Sequence, residues 1–244
     1  MTHRTTSDQG AVQSAQSTPP PASTRTKRLR VLALTGVVLV ALIGSVVWWR
    51  WPAGDRPPRV VAGTVQAAVL TSREVSKHVG TTLNTETRAS EPAPPTQADP
   101  PGCSVAVGPA TTVVYRRGWT AFLSVAQQDS DAAAEHTVTQ TVGRYATADQ
   151  ASKVFSTLTD GINACTSAVR NAPGGGVSRW TYRVDSTSAN ALTWTATQDQ
   201  GEGWACYREA RLKASTVFLV VVCQAGDGRL AARTIASQMA GRVK

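Results

Sequence analysis

Cysteine, histidine, arginine and the aromatic residues carry whatever chemistry this chain offers. Four cysteines occur, Cys103, Cys165, Cys206 and Cys223. They are spaced for bridges, not clustered as metal ligands are, and an even number on one side of the chain predicts two disulfides in an oxidising compartment. The histidines, His3, His78 and His136, are scattered. No metal site and no cofactor is expected from this inventory. No Gly-x-Ser-x-Gly elbow is present. The run Pro173-Gly174-Gly175-Gly176 lacks the Lys-Ser/Thr that would make it a phosphate loop. With no catalytic signature, the chain is not read as an enzyme; an envelope hydrolase would need a nucleophile and a base brought together in space.

The strongest local geometry lies at the C-terminal end. Trp204–Lys213 and Thr216–Gln224 read as two strands. If Ala214-Ser215 is a two-residue turn, Cys206 faces Cys223. Facing antiparallel residues have Cα atoms about 4.5–5.5 Å apart, within the about 4.4–6.8 Å that a disulfide spans. The register therefore favours Cys206–Cys223, and Cys103–Cys165 follows by elimination. Ala-Ser is not a favoured type I′ pair, so a longer turn is the alternative. The same register puts Trp204, Cys206, Arg208, Ala210 and Leu212 on one face with Val217, Leu219, Val221 and Cys223. Arg208 is the one charge among them. It reads either as a packed stem whose head finds a carboxylate or carbonyls, or as an anion-binding group in a pocket. Trp194, on the preceding strand, is placed to face it. Trp119, Trp180, Tyr182, Trp194 and Arg208 form the candidate ligand-binding set, although such aromatics also serve simply as core.

Other elements must position these groups. Thr71-Ser72-Arg73-Glu74 fits a capping box, with Gly80 as the C′ stop of a short helix and Val69, Leu70, Val75 and Val79 on its apolar face. The proline-rich stretch Asn84–Gly102 reads as an exposed loop. Thr111–Tyr115 and Trp119–Gln127 read as strands joined at Arg117-Gly118, followed by a strand over Glu135–Tyr145. Thr147 caps a helix through Ala151, Val154, Phe155, Leu158 and Ile162, ending near Cys165. Asn171–Val177 reads as a flexible loop. Ser178–Asp185 and Ala191–Gln198 are further strands, and a last helix over Gly228–Arg242 turns Leu230, Ile235 and Met239 inward. This order predicts an α+β domain with a mostly antiparallel sheet of about six strands.

Location follows from the other end. Val31–Trp49 holds nineteen residues without a charge. At about 1.5 Å per residue it makes about 28 Å of helix, close to a bilayer core of about 30 Å. Lys27, Arg28 and Arg30 flank one end, and Trp48, Trp49 and Trp51 the other. It is longer than a signal-peptide core, so residues 31–51 are read as an uncleaved anchor in contact with membrane lipid. Residues 1–30 form a disordered cytoplasmic tail, 52–65 a proline-containing linker, and 66–244 an extracytoplasmic domain. The +9 net charge would suit nucleic acid, but six of the 25 basic residues and one of the 16 acidic ones precede Pro52, leaving +4 beyond it. The juxtamembrane cluster is a topology and lipid device, and no nucleic-acid partner is expected.

Gly201-Glu202-Gly203-Trp204-Ala205-Cys206-Tyr207-Arg208, with an apolar strand into Cys223 and a closing helix, resembles the PknH-like extracellular sensor domain family of mycobacteria and their relatives. Thr139-Gln140-Thr141-Val142, Tyr145-Ala146-Thr147, Ala67–Thr71 and Glu74-Val75 match it as well, and the resemblance covers about Gln66 to Val243. It implies a curved antiparallel sheet, flanking helices, a deep cleft and the two disulfide pairs derived above. Founding members carry the domain outside a serine/threonine kinase; no kinase motif occurs here. The resemblance implies a sensor-type domain that binds an unknown small-molecule or envelope ligand. A cell-envelope protein partner, docked through a sheet edge or an apolar face, is the alternative.

Overall fold

The computed structural model describes residues 65–116, 118–171 and 176–243. The tail, the expected membrane helix and the linker up to residue 64 lie outside the described residues, as do 172–175 of the expected flexible loop. No helix among the described residues is long and apolar enough to cross a membrane.

Eight strands, not six, form one sheet in which every neighbouring pair is antiparallel. In chain order they are β1 (Thr85–Ala89), β2 (Trp119–Gln128), β3 (His136–Tyr145), β4 (Ser167–Asn171), β5 (Val177–Thr187), β6 (Ala191–Gln198), β7 (Trp204–Lys213) and β8 (Thr216–Ala225). Across the sheet they run β1-β2-β3-β8-β7-β6-β5-β4. The helices are α1 (Ser72–Val79), the four-residue α2 (Ser104–Val107), α3 (Ala148–Asn163) and α4 (Arg229–Arg242). The class is α+β.

The two unexpected strands are the edges. β1 reads Thr-Glu-Thr-Arg-Ala and is exposed along nearly its whole length, so it has no apolar period; its order comes from hydrogen bonds to β2. β4 follows Cys165 directly and buries only Ala168. The expected strand Thr111–Tyr115 does not form. Val114 and Tyr115 both donate their N–H to the Thr111 carbonyl in a turn, and both are fully buried. Their β-branched and aromatic character reflects burial, which a turn satisfies as well as a strand.

Each sheet face has its own core. On the first, α3 lays Ala151, Val154, Phe155, Leu158 and Ile162 against the sheet beside α2. Thr147 caps α3 by accepting from the Gln150 amide at 3.2 Å. On the second, α1 and α4 pack over β7, β8 and their neighbours. Thr71 and Glu74 complete a capping box at the start of α1, and Gly80 ends it at φ 79°, a left-handed conformation that favours glycine. Arg242 of α4 pairs with Glu74. Ala232, Ile235, Ala236 and Met239 form the inward stripe of α4. Leu230 is 76% exposed, contrary to expectation, because it lies five residues before Ile235, well round the helix from that stripe. Two buried glutamines join the second core to the sheet. Gln140 accepts from the Leu70 N–H at 2.8 Å and donates to its carbonyl at 3.0 Å, and also donates to Gln127 at 3.2 Å. The segment that leads into the domain is thereby pinned to the middle of the sheet.

Candidate functional site

The β7–β8 turn is two residues long. Ala214 takes φ 50°, the positive angle that the first position of a type II′ turn requires. Counting outward from it, Cys206 and Cys223 fall at a pair that exchanges no ladder hydrogen bonds, the class in which facing side chains come closest. They are disulfide-bonded, with Cα atoms 4.0 Å apart. Cys103 and Cys165 form the second bond, at a Cα separation of 5.2 Å. That bond ties the chain just before α2 to the residue that leads into β4.

Two residues along β7 from Cys206, Arg208 points into the first core and is 6% exposed. It faces Trp194 on β6. Its Nη1 donates to the Ala106 carbonyl of α2 at 2.8 Å. Its guanidinium carbon lies 5.9 Å from the ring centroids of both Tyr182 and Trp194, within reach of a cation–π contact. The disulfide at Cys103 therefore holds the segment whose carbonyl receives Arg208. Beyond that carbonyl the cluster is short of acceptors. Arg208 Nε, Tyr182 Oη and Trp194 Nε1 are all buried without a partner among the described residues. Burial lowers the Arg208 pKa to about 10; Arg170 also lowers it, while Tyr182 acts the other way. Burial raises the Tyr182 pKa, so its phenol is neutral at pH 7.

Arg170 is the residue that sequence reasoning missed. It sits on β4, its guanidinium carbon 4.2 Å above the Trp180 ring and its Nε buried without a partner among the described residues. Ala168 and Arg170 alternate on one face of β4, a signal that the segment after Cys165 contained. Among the described residues, neither Arg208 nor Arg170 has a carboxylate within ion-pair distance. Tyr182, Trp194 and Arg208 are thus brought together, and Trp180 joins them through Arg170. Trp119 does not join them: it packs on Phe122 at 5.9 Å, on a strand three places from β7. All five residues of the expected set are buried.

The opposite face offers less. A cleft of about 40 Å³ lies between the start of α4 and β5–β7, beside Asp185, Tyr207, Glu209 and Arg229, and Trp194 and Arg208 also border it. It is far smaller than a typical ligand pocket of about 300–1,000 Å³. Three of its charges are matched, Glu209 to Arg211, Asp185 to Arg183 and Arg229 to Asp227. A shallow groove of about 310 Å³ near the β7–β8 turn contains Lys213, which is committed to the Ala240 and Val243 carbonyls. The two described histidines are engaged apart from each other, His78 with Gln238 and His136 with Asp129. Among the described residues no group of three or more His, Cys, Asp or Glu side chains is placed to hold a metal.

Residues 60–242 match the family described as PknH-like extracellular domain. The chain belongs to that family. It is also similar to a solved structure, the extracellular domain of PknH from Mycobacterium tuberculosis, with a TM-score of 0.66 and 26% identity over 78% of this chain and 98% of that one. A search of curated proteins finds no match. The PknH-like assignment gives residues 60–242 the character of an extracellular domain, which agrees with cysteines that are oxidised in pairs.

Proposed function

We propose that this protein is a membrane-anchored, extracytoplasmic ligand-binding domain of the sensor type, without catalytic activity of its own. Residues 31–51 hold it in the bilayer with the tail inside and the PknH-like domain outside. The observation that carries the ligand-binding reading is the buried cluster of Arg208, Tyr182 and Trp194, in which Arg208 Nε, Tyr182 Oη and Trp194 Nε1 have no hydrogen-bond partner among the described residues. Nearly all buried polar groups in proteins are partnered, and clusters that are not mark sites where something else completes them. The test uses the full, disulfide-bonded chain in detergent. Fractions of cell-envelope extract are screened for one that raises its melting temperature. A single fraction that does so, and yields a bound small molecule, supports the reading; no response from any fraction ends it.

One observation favours docking a protein partner instead. Among the described residues β1 pairs with β2 alone, so its outer edge has no strand beside it. Such an edge accepts an added strand. Crosslinking in intact cells would then recover one protein joined through Thr85–Ala89.

A further inference from the structure

Two guanidinium groups share one end of the first core. Arg208 reaches Tyr182 and Trp194, its guanidinium carbon 5.9 Å from each ring, and Arg170 lies 4.2 Å above Trp180, two residues from Tyr182 on the same strand β5. A buried cation is costly unless an opposite charge or a full set of acceptors compensates it. Here the described residues supply Arg208 with one carbonyl, from Ala106, for its five N–H groups, and no carboxylate. Trp194 Nε1 can only donate, and the neutral Tyr182 hydroxyl has a proton to give. The inventory is therefore almost all donors, gathered round two positive charges. A purely structural arginine would be surrounded by acceptors. Arg170, on the edge strand β4, is only half-buried.

We propose that Arg208 and Arg170 form an oxyanion site, and that the ligand of this domain presents a carboxylate or phosphate group held between them with Tyr182 Oη and Trp194 Nε1 as further donors. The proposal rests on the ligand-binding reading above and adds the ligand's charge and its contacts. Guanidinium groups suit this task because their planar N–H pairs match carboxylate and phosphate oxygens.

The full chain in detergent, disulfides intact, is titrated with sodium phosphate and with sodium acetate against sodium chloride at equal ionic strength. Calorimetry and melting temperature are the readouts. At least one of the two oxyanions stabilises the protein beyond chloride, and which one does so separates phosphate from carboxylate. Its affinity falls about tenfold or more in Arg208→Met and in Arg170→Gln, the change expected for one lost charge-assisted hydrogen bond. Without added anion, Arg208→Met melts no lower than the parent, because a buried unpaired charge has been removed. The proposal is overturned if neither oxyanion exceeds chloride, or if both variants respond as the parent does. Should Arg208→Met fail to fold, Arg170→Gln at the edge strand decides alone. If an envelope fraction stabilises parent and variants equally, the ligand-binding reading stands and the oxyanion site falls. If phosphate or acetate binds through both arginines while no envelope fraction does, the site stands and the sensor reading falls.

Discussion

Glu74 does two tasks with one carboxylate. It accepts from the Thr71 backbone N–H at the start of α1, and it pairs with Arg242 at the end of α4. The Thr71 backbone bond, then Arg242, lowers its pKa from the ordinary 4.5 to about 2. A carboxyl whose folded pKa is depressed stabilises the fold above its unfolded pKa and loses that contribution as pH falls through the folded value. Glu74→Gln should therefore flatten the acid limb of a melting-temperature profile between about pH 4.5 and pH 2. At neutral pH it should cost about 1 kcal/mol, modest because both partners are about a third exposed. An unchanged acid limb would remove Glu74 from the account. Arg208 is the opposite case at this scale. It is buried, with no carboxylate among the described residues within ion-pair distance, so it adds little to the fold and much to a ligand that brings the opposite charge.

At the scale of elements, two small residues decide how the segments meet. Gly161 lies on α3 where the helix touches the segment around α2; a Cβ there would stand 2.5 Å from the Val105 Cβ. Alanine is the better helix former by about 1 kcal/mol, yet Gly161→Ala should destabilise by about 1–3 kcal/mol through that overlap. Chemical denaturation reads the sign, and a stabilised variant would show that the two segments are not in close contact. Ala214 is the reverse. Its φ of 50° strains an L-residue, so Ala214→Gly should stabilise by about 1 kcal/mol, or about 2–4 °C in melting temperature for a domain of this size. A lower melting temperature would mean that the turn is not of this type. Both substitutions act on geometry that helix period or strand alternation alone does not reveal.

At the scale of the whole molecule, the disulfides close loops of very different length. Cys103–Cys165 spans 62 residues and Cys206–Cys223 spans 17. In the loop-entropy account these are worth about 4 and about 3 kcal/mol, the longer loop more. Replacing Cys103 and Cys165 together by alanine should thus lower the melting temperature more than replacing Cys206 and Cys223. It should also weaken any ligand held at Arg208, because the Ala106 carbonyl loses its clamp. Equal losses in the two double variants would say that loop closure is not what the bridges supply. Free thiols titrated on all four cysteines of protein from intact cells would contradict the placement outside.

What the amino-acid sequence determined by itself is whatever depends on near neighbours along the chain. The capping box at Thr71, the stripe from Ala151 to Ile162 and the facing of Cys206 with Cys223 all follow from helix period, strand period or a two-residue turn. The family was legible for the same reason, since each of its motifs, such as Gly201–Arg208, is a short run of neighbours along the chain. Tertiary structure alone decided what depends on residues far apart in sequence. It made Thr85–Ala89 and Ser167–Asn171 into edge strands, because a polar segment orders once a neighbour offers it a ladder. It folded Thr111–Tyr115 into a buried turn and left Leu230 in water. It brought Arg170 to Trp180 and Arg208 to Tyr182, and among the described residues set no carboxylate within ion-pair distance of either arginine. A sequence shows that a charge sits on an apolar strand; only the packing of distant elements shows whether anything answers it.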